Sequence, residues 1–220
     1  MPLSVGGALS TLPARGRFLR ALAGLAVLSG SVACNPNAQP KPGELRGILL
    51  PDPLPKIDFT LANTAGEPFA FRQQTDGYVT LLFFGFTYCP DICPVHMANL
   101  AAVLRKLPLR TANRVKVVMV SVDPDRDTPE RLRTWLNAFD PSFVGLRGPI
   151  EQVNEIQRAL NLPPAIKQQT SEDDYTVGHA AQIIAFTGDN RAHVVYPSGT
   201  RQADWAHDLP LLVEADWPAQ

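Results

Sequence analysis

The sequence predicts an α/β domain, a central mixed sheet flanked by helices with a β-hairpin extension at its N-terminal side. Two apolar runs without alternation, Val79–Phe86 and Val115–Val122, read as strands covered on both faces. Each is followed by apolar residues at helical spacing: Met97, Leu100, Ala101 and Leu104 after the first, and Leu132, Trp135, Leu136 and Phe139 after the second. Such alternation is the mark of an α/β layer architecture. With 220 residues, the chain is long enough for one well-buried domain plus extra segments.

Residues 1–33 read as a signal peptide or membrane-anchor segment. Arg15, Arg17 and Arg20 form a basic start, and an apolar run begins at Ala21–Leu28 and continues through small residues to Ala33. That run is short for the roughly 20 apolar residues a spanning helix needs. Ser31 and Ala33 suit cleavage just before Cys34, a placement that invites lipidation of the cysteine; simple cleavage and an uncleaved anchor are the other two outcomes. All three put the folded part outside the cytoplasm. Residues 34–53, with Pro36, Pro40, Pro42, Pro51 and Pro53, form a Pro-rich linker. About 15 extended residues at about 3.1 Å each hold a domain tens of ångströms from a membrane. Residues 54–220 form the domain.

Within it, Phe59–Leu61 and Pro68–Phe71 make a hairpin around Asn63–Gly66. The first long strand leads through a cysteine-bearing segment into a helix starting near Pro94 and stopped by Pro108. Asp127 or Thr128 caps the next helix, with Pro129 and Glu130 in its first turn. Phe143–Leu146 is a short strand, and Val153, Ile156 and Leu160 mark another helix. Asn161–Gly178 is polar and contains Pro163-Pro164, so it reads as a long loop. Ala181–Thr187 and Ala192–Tyr196 pair across Gly188-Asp189-Asn190. Trp205, Leu209 and Leu212 give a final helix that Pro210 kinks or starts. This order, with a strand–cysteine loop–helix opening and a closing antiparallel hairpin, is the thioredoxin-like arrangement.

The chemistry concentrates in Gly85-Phe86-Thr87-Tyr88-Cys89-Pro90-Asp91-Ile92-Cys93-Pro94. Two thiols stand where a strand hands over to a helix N-terminus, whose free N–H groups and dipole favour a thiolate. Cys89 and Cys93 have three residues between them, where the thioredoxin redox motif has two. In a helical turn that spacing puts both sulfurs on one face, so they can converge on one ion; a disulfide is also open to them. Two thiolates suit Cu(I), with Zn(II) as the lesser competitor, and imidazole is the natural third ligand. Of four histidines, His96 is expected in solvent beside the site, and His193 and His207 in structural or surface roles. His179 precedes the strand Ala181–Thr187, and in a thioredoxin-like fold that segment abuts the cysteine loop. Asp123, Asp125 and Asp127 read as helix capping and turn formation rather than a cation site. The balance of 20 Lys+Arg against 21 Asp+Glu gives no reason to expect nucleic acid.

The cysteine segment, with Ser121-Val122-Asp123-Pro124-Asp125-Arg126-Asp127-Thr128-Pro129 and Tyr175-Thr176-Val177-Gly178-His179, resembles the SCO/SenC family over roughly Leu54–Val213. The resemblance implies a thioredoxin-like fold and a place at a membrane, facing the periplasm or its equivalent. It implies copper, as Cu(I) and also Cu(II), held by Cys89, Cys93 and His179. The implied role is assembly of the binuclear copper centre of cytochrome c oxidase. The partners would be the oxidase's copper-bearing subunit and another copper carrier. Where the family often has Asp before the histidine and Ser after it, this chain has Gly178 and Ala180. The second N–H of the imidazole must then find a carbonyl, water or other side chain. Two further functions compete: a thiol–disulfide oxidoreductase in which Cys89 attacks and Cys93 resolves, and a structural Cys89–Cys93 disulfide. So short a loop gains little entropy on closure, which weakens the last.

Overall fold

A computed structural model describes residues 40–41, 44–172 and 174–217. The signal peptide or membrane-anchor segment expected over residues 1–33 and Cys34 lie outside these residues. In chain order the elements are β1 (Ile48–Pro55), β2 (Thr60–Asn63), β3 (Pro68–Ala70), α1 (Phe71–Gln74), β4 (Val79–Gly85), α2 (Ile92–Leu104), α3 (Leu109–Ala112), β5 (Val115–Ser121), α4 (Pro129–Asn137), β6 (Val144–Arg147), α5 (Ile150–Ala159), β7 (Ile166–Gln169), β8 (Tyr175–Gly178), β9 (Ile183–Phe186), β10 (Arg191–Tyr196) and α6 (Gln202–Glu214).

Eight strands form one mixed sheet in the order β1-β10-β9-β4-β5-β6-β2-β3. β4, β5 and β6 run parallel, and β9 joins β4 antiparallel through Leu82↔Ile184. Every residue of β4 is buried, as its unbroken apolar run requires of a strand covered on both faces. The β2–β3 hairpin extends the sheet at β6. Helix α2 buries Cys93, His96, Met97, Leu100, Ala101 and Val103, a stripe at helical spacing. Because α2 starts at the C-terminal end of β4, its first turn and the strand end together present the cysteine segment.

Two expectations need correction. The linker expected over residues 34–53 overlaps β1, which pairs with β10 from Ile48↔Val195 to Pro55↔Arg191. Proline is tolerated there because β1 is an edge strand, and the register shifts between Leu49 and Leu54. The loop expected over Asn161–Gly178 contains the two-stranded sheet β7–β8. Of the two caps expected for α4, the structure has Thr128, which accepts from Arg131 N, while Asp127 is turned inward. Of the two places expected for Pro210, a kink in α6 or its start, the structure has it inside the helix.

Candidate metal centre

Gly85 ends β4, and Thr87 begins the turn that lifts Cys89 toward the surface. The turn is braced by the buried Asp127. Its carboxylate accepts from Thr87 N at 3.1 and 3.2 Å, from Thr87 Oγ1 at 2.6 Å and from Ser121 Oγ at 2.6 Å. Burial raises the pKa of Asp127, and these donors pull against that rise. Arg131 donates to Thr87 Oγ1 at 2.7 Å and lays its guanidinium 3.8 Å from the ring centre of exposed Tyr88.

The sulfurs of Cys89 and Cys93 and a ring nitrogen of His179 all lie within 4.8 Å of one another. Cys89 is half-buried, Cys93 is fully buried, and neither is in a disulfide. The Cys93 thiol, followed by His179 and the backbone N–H groups of Cys93 and Asp91, hydrogen-bonds the Cys89 sulfur and lowers its pKa to about 3. Cys93 moves the other way, because burial and the neighbouring Cys89 charge both oppose a second thiolate. The surroundings thus favour the thiolate at Cys89 and the thiol at Cys93.

His179 follows β8, which brings a residue 86 positions from Cys93 to 3.7 Å, Nε2 to Sγ. The ring packs edge-on against Phe83 and Phe86, at 5.9 and 5.6 Å. Nδ1 lies 2.9 Å from Ala180 O. A carbonyl only accepts, so Nδ1 carries a proton, and Nε2 is the ring nitrogen that faces the sulfurs. The backbone thus supplies the second bond of the imidazole, with no carboxylate at Gly178 to do so.

The β7–β8 sheet behind His179 is tied to the β5–α4 turn. Tyr175 Oη donates to Asp123 at 2.7 Å, and Arg126 donates to Asp123, to Tyr175 O and to Asp174. Lys167 pairs with Asp125. The three aspartates therefore do more than shape a turn, a role invisible in sequence because Thr87, Lys167 and Tyr175 lie about 40 to 50 residues away.

His96 is not in solvent: it is 2% exposed and bonds Ala181 O. Its spacing from Cys93 was the available signal, since i and i+3 share a helix face. His193 is buried against Trp217 and bonds Asp189, and exposed His207 bonds Asp208, the structural and surface roles expected of them.

A thioredoxin-like domain that gathers two thiols and one imidazole at the strand–helix junction is a soft-metal thiol protein. The SCO1/SenC family model matches residues 52–214, and the chain belongs to that family. A Sco1 protein of Thermus thermophilus, solved in its apo form, is 36% identical with a TM-score of 0.64, over 77% of this chain and 94% of that one. ScoI of Bradyrhizobium japonicum, solved with copper bound, is 30% identical with a TM-score of 0.63, over 72% of this chain and 99% of that one. The mitochondrial SCO2 homolog of Bos taurus is 32% identical over 154 residues, covering 69% of this chain and 56% of the relative. The chain thus spans little more than half of that mitochondrial relative.

Proposed function

We propose that this protein carries copper and delivers it to the binuclear copper centre of cytochrome c oxidase during assembly. Cys89 and Cys93 supply thiolates and His179 supplies Nε2. The observation that carries the reading is the convergence of these three donor atoms within 4.8 Å, from segments distant in sequence. Two sulfurs and one imidazole match the preference of Cu(I) for soft donors, and the copper-bound Bradyrhizobium relative supports the same cargo. Loading displaces the proton of the Cys93 thiol, so binding releases acid. Thiolates of the receiving subunit, or of another copper carrier, exchange with these ligands one at a time. The export signal in residues 1–33 and the family's setting support a tethered, extracytoplasmic location, facing the periplasm. No helix among the described residues is long and apolar enough to cross a membrane.

The test is a copper titration of the reduced protein in competition with a Cu(I) chelator. About one copper per chain is expected, as one three-donor site allows. Cys89→Ala and Cys93→Ala should each abolish competition, and His179→Ala should weaken it at least tenfold, at the low end of losses seen on perturbing metal sites. Unchanged affinity in the histidine variant removes His179 from the ligand set.

A second reading has its own support in the unlinked, asymmetric cysteine pair. The Cys89 thiolate would attack a partner disulfide, forming a mixed disulfide and releasing a partner thiolate. Cys93, once deprotonated, would displace the second partner thiolate, leaving Cys89–Cys93 oxidised and the partner reduced. Disulfide reduction by copper-free protein that survives His179→Ala would favour it.

A further inference from the structure

We propose that His96 is a positioning residue: its Nε2–H holds the backbone that carries His179 against the helix that carries Cys93. The inference rests on the copper reading for its consequence and on geometry for its existence. Nε2 lies 3.0 Å from Ala181 O, a contact that spans 85 positions and falls two residues beyond His179. The carbonyl can only accept, so Nε2 carries the proton. Nδ1 is buried and has no partner among the described residues.

That unpartnered nitrogen is the informative part. The ring stacks edge-on against Phe83 at 5.1 Å, inside the apolar face of α2. A phenyl or methionine side chain would fill the same space without stranding a nitrogen, so packing alone gives no reason for an imidazole. The imidazole supplies one N–H aimed at Ala181. Residues 179–182 have no regular secondary structure, so their backbone lacks the ladder that secures β8 and β9 on either side. Two consecutive carbonyls in this stretch are instead each bonded by an imidazole. Ala180 O orients the His179 ring, and Ala181 O fixes the segment from which that ring projects. Burial holds the His96 imidazole below its ordinary pKa, which keeps it a single-proton donor.

The test uses His96→Phe, which keeps a ring and removes the donor, and His96→Gln, whose amide N–H reaches about as far as Nε2–H. His96→Met replaces the Phe variant should the latter fail to fold. In metal-free protein, amide exchange over residues 179–182 should quicken about tenfold in the donorless variant and return to within about threefold of wild type in the Gln variant, as loss and recovery of one hydrogen bond predict. Cu(I) affinity should follow the same order, about tenfold weaker without the donor, as for other groups that orient metal ligands. Exchange that is the same in all three proteins, or affinity lost equally in the Phe and Gln variants, overturns the proposal. Failure of the wild type to bind Cu(I) would sink the copper reading instead, and the metal-free exchange would still decide whether His96 holds this segment.

Discussion

At Gly85 the sheet meets the candidate metal centre, and alanine there tests the geometry of both. A Cβ at residue 85 would stand 2.5 Å from Phe83 Cε1 and 2.9 Å from Cys93 Sγ. Carbon contacts settle near about 3.5–4.0 Å, so the phenyl ring must retreat by about 1 Å and the sulfur by somewhat less. Both neighbours are fully buried, which leaves them little room. Overpacking of this kind costs about 1–3 kcal/mol. At about 2–4 °C per kcal/mol for a domain of this size, the melting temperature of metal-free protein should fall by about 2–12 °C. On the copper reading, displacement of the Cys93 sulfur should also weaken Cu(I) competition by about tenfold. Calorimetry and chelator titration read the two effects separately. Gly188→Ala is the control, because nothing lies within 4 Å of its Cβ, and its stability should stay within about 0.5 kcal/mol of wild type. If Gly85→Ala melts and binds copper like the wild type, the close approach of Cys93 to β4 is wrong.

Two further perturbations probe the support around the site. Lys56 is fully buried, and burial lowers its pKa from 10.5 to about 8. The unfolded chain therefore holds more protons between those values, so stability should rise with pH from about 8 to about 10.5, by about 3 kcal/mol in all. Its Nζ donates to Thr75 O at 3.0 Å and to Thr80 Oγ1 at 3.4 Å; Thr75 O also accepts from Tyr78 N and Thr80 Oγ1 donates to Tyr78 O, so Lys56→Met leaves neither group without a hydrogen bond. Urea denaturation at pH 7 should show the Met variant more stable by about 1–3 kcal/mol and without the alkaline rise; a destabilised variant would mean the bonds of the ammonium outweigh its desolvation. Asp127→Asn keeps the shape of the brace under the cysteine turn but turns one acceptor into a donor facing Thr87 or Ser121. A loss of about 1–3 kcal/mol in urea is expected, and an unchanged midpoint would show that the carboxyl is carried as the neutral acid.

The parts of the fold legible in the sequence are those whose physics is burial. β4 and β5 announce themselves because both faces are covered, and α2 and α4 because one face is. β7 escaped because all four of its residues are exposed and it leaves no apolar period; it exists through its pairing with β8. β1 escaped because its prolines argue against a strand, an argument that fails at a sheet edge. Among the site residues, the two cysteines were visible from their motif and His179 from the fold and a family resemblance. The brace of Asp127 on Thr87, across 40 positions, leaves no trace in local pattern. His96 was misplaced although its spacing from Cys93 was in plain view, because histidine suggests water more readily than a helix face suggests burial.

The three donor atoms are not held alike, and the difference bears on release. Cys93 is fixed in the core by β4 and α2, and Cys89 by a turn whose carboxylate brace is buried. His179 sits on a stretch without a backbone ladder, joined to the rest by Ala181 O on His96 and by the polar ties of Tyr175 and Arg126. Ties of that kind are worth about 1 kcal/mol each, and the one between Arg126 and exposed Asp174 less. A copper carrier has to hold its ion yet give it up by ligand exchange, and exchange needs one ligand that leaves before the others. On the copper reading that ligand is His179, because freeing it breaks a few single hydrogen bonds, whereas freeing Cys93 would open the core. The exchange rates over residues 179–182 in the His96 variants measure that looseness directly. An arm as protected in wild-type apo protein as β4 itself would leave the site with no ligand ready to go first.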